Sequence, residues 1–583
     1  MRYNLKPDLR AELHRKPSSL FSTNGRFWQL EYREIGYAIF WIALFLLIAN
    51  YLFANHFGIY EDDYIWVMTL PPMHWNFLHA LGEIKSTWPN WVTYYQGRPL
   101  GFSLNILMAF FSGKLPSLVW GYAVGYGIFL TNAILLFVFA RRFMPWAGAL
   151  VAALCYLIFP PDASKVILMH RHLHLSMTFL MVALLLYQRD KLVWAYLVSA
   201  LCLITYEAFY LPFVAAPLLA GVPMKKPVAK AAIHLLIFFV TAGVVLGLRS
   251  QGGDDRSALL TGGISANLPK ILEAVIIGPW TCLRWSFFGA PLRGLNEGAW
   301  PALVLAILVG GALFVVLRRA AVPAAGALAE GGKSLFRRRL VVGLGAVIAM
   351  AFAYCLAFRD TYFPPVTVEG RLSGVHVGAA LGFSLLVGIV FTILTETLRK
   401  RTAIICCLTT FYLALWINYG VTVQKHYMAD WAEQADFWKR LITLSGSFSE
   451  GDIILIDFSN LPWRNRADIE PSIGTKGFDA LSYFVAFPKS WGHDPRVFEV
   501  DARTPADVVP NGLKIHTPDW FGPDTWPVIS DGKFFYVKFY GNELHVVDTP
   551  IVLSGHIVRP KHLVSPLPVP YANTGIFRKV FHD

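Results

Sequence analysis

The sequence predicts a polytopic α-helical membrane protein of about eleven spans followed by a C-terminal α/β domain, and three observations carry that expectation. Of its 583 residues 55% are hydrophobic and 15% charged, with a mean hydropathy of +0.47, well above the balance of a soluble chain. The apolar residues gather in runs that end in short basic clusters, as at Arg141-Arg142, Lys225-Lys226, Arg318-Arg319 and Arg399-Lys400-Arg401. After residue 423 these runs stop, and apolar stretches of strand length replace them.

Residues 1–34 carry Arg2, Lys6, Arg10, Arg15, Lys16, Arg26 and Arg33 ahead of the first apolar run at 35–57. The positive-inside bias makes this a cytoplasmic N-terminal segment. The run lacks a small-residue cleavage site and has spanning length, so it reads as a retained signal-anchor. Residues 35–423 then form the transmembrane domain. A first external loop is expected at 58–117, with an apolar piece at 100–111 too short to cross and suited to lie in the interface as a helix. Further spans are expected at 118–140, 147–159, 175–187, 192–206, 209–222, 231–248, 300–317, 340–358, 375–395 and 403–421. A second large external loop at 249–299 holds Trp280, Trp285, Phe287 and Phe288, residues suited to the headgroup layer.

An odd number of spans puts residues 424–583 on the outer side as a periplasmic α/β domain. Residues 451–456 read as a buried strand, 535–540 and 543–547 as a hairpin around Gly541-Asn542, and 427–444 as an amphipathic helix.

The formal charge of +13 does not point to nucleic acid, because Lys and Arg sit between apolar runs, where they set topology and meet anionic membrane lipid. Cys155, Cys202, Cys355, Cys406 and Cys407 lie in apolar runs and Cys282 in a Trp-rich piece, with neither metal-type spacing nor a disulfide framework. No Walker motif or other glycine-rich phosphate loop occurs, which argues against an ATP-driven or nucleotide-dependent site on the cytoplasmic side.

The polar groups that suit chemistry fall on the outer side. Glu61-Asp62-Asp63 follows the first apolar run, where a general base can be tuned by its neighbours, or where acids simply solvate a helix end or anchor an arginine. Tyr64 stands beside them as a cavity-lining candidate. Arg98, in Gln96-Gly97-Arg98-Pro99-Leu100-Gly101, suits a phosphate, a carboxylate or a snorkelling position at the interface. Lys165 with His170-Arg171-His172-Leu173-His174 suits an anionic ligand; a metal reading of the three imidazoles lacks nearby carboxylate or thiolate partners in the sequence. Glu207, between two apolar runs, faces a cavity or a cation, or locks a helix break. Arg359 and Arg371 suit a phosphate, and Arg359 equally suits its neighbour Asp360.

The cytoplasmic N-terminus, the Asp-Asp-Tyr at Asp62–Tyr64, the later Gly-Arg-Pro-Leu and Tyr-Glu pieces, the interfacial helices, the span number and the outer C-terminal domain together resemble the GT-C glycosyltransferases, in particular bacterial members that modify surface polysaccharide or protein. The topology match covers most of residues 35–425, and the C-terminal domain matches no fold known to us. The resemblance implies an inverting enzyme of the bacterial inner membrane that takes a sugar from a polyprenyl-phosphate donor to a hydroxyl of a glycan, lipid or protein acceptor. It implies that a first-loop carboxylate, Asp62 ahead of Asp63, is the base, and that Arg98, Lys165, His170, Arg171, His172, Arg359 and Arg371 are candidates for the donor phosphate. No cofactor is then required, and a divalent metal is optional. The competing expectation is a lipid or glycan transporter or flippase, for which more ionisable groups deep in the spans and two related halves would be expected. The absence of any Asn-x-Ser/Thr sequon fits a bacterial membrane better than an endoplasmic reticulum lumen.

Overall fold

The apolar runs fold as helices because lipid offers their backbone amides no other partner. A computed structural model describes residues 24–60, 63, 76–90, 97–114, 117–221, 227–251, 264–321, 332–356, 371–457, 480–500, 503–516, 526–540, 543–563 and 569–581. The helix α1 (Asn24–Leu46) begins inside the segment expected to be cytoplasmic and runs on through a π-turn at Leu47–Tyr51. Then come α2 (Phe77–Thr87) and α3 (Pro99–Lys114), the latter covering the expected interfacial piece. The helices α4 (Leu118–Ala140), α5 (Trp146–Ile158), α6 (Arg171–Gln188) and α7 (Leu192–Thr205) follow.

Pro212 and Pro217 then break the chain into α8 (Glu207–Tyr210), a 3-10 turn (Leu211–Ala215) and α9 (Ala216–Leu219). After α10 (Pro227–Gln251), residues 264–297 form α11 (Ile264–Arg284), a π-turn (Trp285–Gly289) and α12 (Ala290–Glu297). Three more long helices follow: α13 (Trp300–Ala320), α14 (Gly332–Phe352), and α15 (Ala380–Thr397) after a 3-10 stretch at Arg371–Ala379. The last, α16 (Thr402–Leu444), joins the final expected span and the expected amphipathic helix into 43 continuous residues.

Seven helical stretches among the described residues are long and apolar enough to cross a membrane: Glu34–His56, Leu118–Ala140, Val228–Leu248, Asn267–Glu297, Trp300–Ala320, Ser373–Thr397 and Arg399–Ser447. The runs at 147–159 and 192–206 fold as shorter helices of 13 and 14 residues. Asn267–Glu297 belongs to the seven although it lies in the segment expected to be an external loop, because its apolar residues fall on a helical period interrupted by charges.

The two ends of the bundle differ. At one end Arg141 pairs with Glu34 at 2.7 Å, Arg142 reaches the carbonyl of Gln188, and buried Arg339 holds both the Phe143 carbonyl and Glu396. At the other end gather the turn after α1, the loop between α5 and α6, the α7–α8 break and the 3-10 stretch before α15. They are joined there by hydrogen bonds from Leu168 to Asp63 and from Ala163 to Ser373.

Beyond α16 the chain becomes a small β region. Its main sheet has the order β2-β1-β6-β7, with β1 (Ile453–Asp457) parallel to β2 (Arg496–Val500) and β6 (Phe534–Tyr540), and β7 (Glu543–Val547) antiparallel to β6. The expected hairpin and buried strand are both present. Every residue of β1 is buried because both faces are covered. Ile454 and Ile456 share a core with Trp438 of α16 and Phe581, and Ile453 and Leu455 pack with Leu513, Ile515 and Ile529 of a smaller antiparallel sheet of β3 (Ala506–Val509), β4 (Gly512–Ile515) and β5 (Val528–Ile529).

Candidate functional site

The chain turns after α1 so that Tyr60 and Asp63 bond reciprocally: the Asp63 amide donates to the Tyr60 carbonyl at 2.8 Å and the Tyr60 amide to Asp63 Oδ2 at 3.3 Å. Asp63 is fully buried, and the same Oδ2 accepts the Leu168 amide at 3.1 Å. A buried carboxylate is tolerated where amides are directed at it. The acid turn is thereby tied to the segment that carries Lys165 to His174. Two tyrosines fix the junction. Tyr60 Oη donates to the Tyr427 carbonyl of α16 at 2.9 Å, and Tyr427 Oη donates to the Ala163 carbonyl at 3.1 Å. Tyr122 of α4 adds a bond to the Gly58 carbonyl at 2.6 Å.

The segment 159–170 owes its shape to Pro160-Pro161, which stop α5, and to Asp162. Asp162 Oδ1 accepts the Ser164 amide at 3.0 Å and its hydroxyl at 2.7 Å, closing an Asx turn. Lys165, proposed from sequence for a phosphate, is buried and donates instead to the carbonyls of Phe159 and Asp162, both at 3.0 Å. Burial lowers its pKa from the ordinary lysine value, against the pull of Asp162. Lys165→Met is therefore expected to lower stability by roughly 1–3 kcal/mol through two stranded carbonyls, and a thermal unfolding curve beside wild type checks it.

The three histidines part company. His170 lies against Gly374, His172 Nδ1 is 3.3 Å from Asn105 Nδ2, and His174 packs on the Phe129 ring at 4.0 Å with Asp162 4.0 Å from its Nε2. Successive positions on a turn and then a helix send alternate side chains to different neighbours, so sequence spacing did not translate into a ligand set. Among the described residues no three His, Cys, Asp or Glu side chains gather closely enough to hold a metal ion.

Arg98 and Glu207 meet. Gly97 turns the chain with a φ of +71° and Pro99 starts α3, where no amide is needed. Gly101 lets α3 approach the end of α7 closely: a β-carbon there would stand 2.5 Å from the Thr205 carbonyl. Arg98 Nε donates to Glu207 Oε2 at 2.7 Å and Nη2 to Oε1 at 2.5 Å, with the guanidinium 4.0 Å over the Tyr206 ring. Of the roles open to these residues from sequence, mutual pairing at a helix break is the one realised.

Glu61, Asp62, Tyr64 and Arg359 lie outside the described residues, as does the side chain of Arg371. Sequence reading missed Asp162, whose Asp-x-Ser spacing after a proline pair signals an Asx turn. It missed Tyr51, an aromatic in an apolar run with no distinguishing signal, and passed over Gly121 and Gly125, a small-xxx-small pair in α4. His234, named beside Glu207 as a buried group, lies within hydrogen-bond distance of Tyr196 Oη at 2.9 Å and the Phe213 carbonyl at 3.1 Å, a satisfied core residue.

No family model and no curated protein matches this chain.

Proposed function

We propose that this chain is a GT-C type glycosyltransferase of a bacterial inner membrane. It would move a sugar from a polyprenyl-phosphate donor to a hydroxyl of a surface glycan, lipid or protein on the outer face. The observation that carries the reading is the bond from the Leu168 amide to Asp63, which brings that acid against the segment bearing His170, Arg171 and His172. Acid–base chemistry and a departing anion need opposite charges within one site. In the reaction a first-loop carboxylate, Asp62 or Asp63, takes the proton of the acceptor hydroxyl. The acceptor oxygen then bonds to the anomeric carbon from the face opposite the phosphate, and the bond from that carbon to the phosphate oxygen breaks, its electron pair leaving with the polyprenyl phosphate. Cationic side chains offset the charge on that phosphate.

Orientation is supported by charge. Arg141, Arg142, Arg189, Arg338, Arg339, Arg399, Lys400 and Arg401 belong to the end opposite Asp63, as a cytoplasmic face requires. Because α16 starts beside Arg399–Arg401 and reaches Tyr60 and Ala163 through Tyr427, residues 424–583 leave the bundle at the end opposite those cations, the periplasmic end in this orientation. Mass spectrometry of a deletion strain tests the function: a surface glycan short of one sugar, with its polyprenyl-phosphate sugar accumulating, is expected. Unchanged glycans with unchanged lipid-linked sugar would sink it, and a lipid-linked sugar trapped on the inner leaflet would favour a flippase instead.

A further inference from the structure

At the end of the bundle opposite Asp63, three arginines converge from separate elements. Arg339 Nε donates to the Phe143 carbonyl at 2.8 Å, which sets the residues before each, Arg338 of α14 and Arg142 of the α4–α5 turn, side by side. Arg142 Nη1 in turn donates at 3.3 Å to the carbonyl of Gln188, the last residue of α6, and so brings in Arg189. The three positive charges act on one another. Burial, and then the guanidiniums of Arg189 and Arg338, lower the pKa of Arg142 from the ordinary arginine value.

The acids at this end are committed elsewhere: Glu34 to Arg141 at 2.7 Å, Glu396 to Arg339, and Asp190 to Lys230 at 3.8 Å. Among the described residues no carboxylate stands within ion-pair distance of Arg142, Arg189 or Arg338. Polar groups beside them are also unanswered. Arg338 Nε is buried without a hydrogen-bond partner among the described residues, and Gln188, 5% exposed, has both side-chain amide atoms in the same state. Gly221, at a φ of +59°, leaves the room that Arg338 occupies, since a β-carbon there would stand 2.9 Å from Nε. Arg142 and Arg189 are exposed, so the cluster is open to an outside partner. Next to it in the chain, Val193 and Trp194 at the start of α7 and Phe336 and Leu340 on α14 are exposed apolar side chains, suited to lipid, with Trp194 fit for the headgroup layer.

We propose that Arg142, Arg189 and Arg338 seat the phosphate of an anionic phospholipid in the leaflet at this end, the inner one in the orientation proposed above. Guanidiniums grip phosphate oxygens with paired donors, and basic pockets between helices at a cytoplasmic face hold anionic headgroups. A free phosphate offers the same oxygens, but only a lipid also covers the apolar side chains beside the cluster. Such a seat differs from the diffuse attraction of scattered cations for an anionic surface, which depends on no particular arginine. The inference takes its leaflet from that orientation and does not depend on sugar transfer.

The test uses the full chain in detergent, titrated with phosphatidylglycerol, with zwitterionic phosphatidylcholine and with inorganic phosphate alone, binding being read from native mass spectrometry and thermal shift. Wild type is expected to hold phosphatidylglycerol at least about tenfold more tightly than phosphatidylcholine, and Arg189→Gln and Arg338→Gln should each lose about tenfold of that affinity, as for one bidentate charged contact. The Arg189 side chain makes no hydrogen bond or ion pair among the described residues. Arg189→Gln should therefore unfold at the wild-type temperature without added lipid, which keeps the proposal testable if Arg338→Gln fails to fold. Arg401→Gln, exposed at the same end and outside the cluster, should bind as wild type does. Wild-type affinity in Arg189→Gln, or an equal loss in Arg189→Gln and Arg401→Gln, would overturn the seat. Inorganic phosphate held as tightly as phosphatidylglycerol would overturn the lipid as its ligand. Lipid binding that depends on Arg189 without any sugar transfer sinks the transfer reading and leaves the seat, whereas transfer with wild-type lipid binding in every variant sinks the seat alone.

Discussion

Replacing Asp62 or Asp63 by asparagine is expected to lower sugar transfer by about 10²–10⁴, the usual contribution of a positioned general base, while the protein still inserts and folds. Asparagine keeps the shape of aspartate and an acceptor oxygen, so at Asp63 it can still receive the amides of Tyr60 and Leu168. It cannot take a proton from a hydroxyl. The two positions are expected to fail differently. Asp63 is committed to backbone donors that hold the acid turn against the α5–α6 segment, so Asp63→Asn should also reduce thermal stability. Asp62, outside the described residues, should lose rate alone. Turnover with a polyprenyl-phosphate sugar, measured beside an unfolding curve, separates them, and near-normal turnover of both variants removes the base assignment.

The second large effect belongs to Arg98 and Glu207. Removing either partner strands the other's charge at a site whose side chains are only 9% and 10% exposed. Glu207→Ala and Arg98→Ala are each expected to cost roughly 3–5 kcal/mol. A paired apolar replacement, Arg98→Met with Glu207→Leu, should recover most of that cost, because burying two methylene-rich side chains avoids desolvating two charges. Thermal unfolding of the two corresponding single variants and the double variant gives the coupling directly. If the single variants unfold at the wild-type temperature, the pair does not lock the α7–α8 break, and Arg98 returns as a candidate for the phosphate.

Much of the helical layout was legible because apolar runs and basic stops are local signals: α4 begins and ends where its run does, at Leu118 and Ala140. The strands β6 and β7 were legible for the same reason, with Gly541-Asn542 marking their turn. The helix through residues 264–297 was not, since charges such as Lys270, Glu273 and Arg284 mask its period. Site partners were harder still. Nothing in the sequence says that Arg98 will choose Glu207, 109 residues away, over a phosphate, or that Lys165 will spend its ammonium on carbonyls three and six residues before it. Those choices depend on how closely Gly101 lets two helices approach and on where a proline pair ends another.

Tyr427 lies on the helix that leaves the apolar bundle and enters the β region, and its carbonyl and hydroxyl hold Tyr60 and Ala163 respectively. One turn further, Trp431 stacks on Phe581 near the chain's end at 5.8 Å. The helix Gly575–Phe581, held on α16 through that stack, is therefore mechanically in series with the loops around Asp63. Cutting the chain behind its last hydrophobic crossing would remove the strut along with the domain, so a truncated form retaining all of its crossings would still lose the alignment of acid and cation.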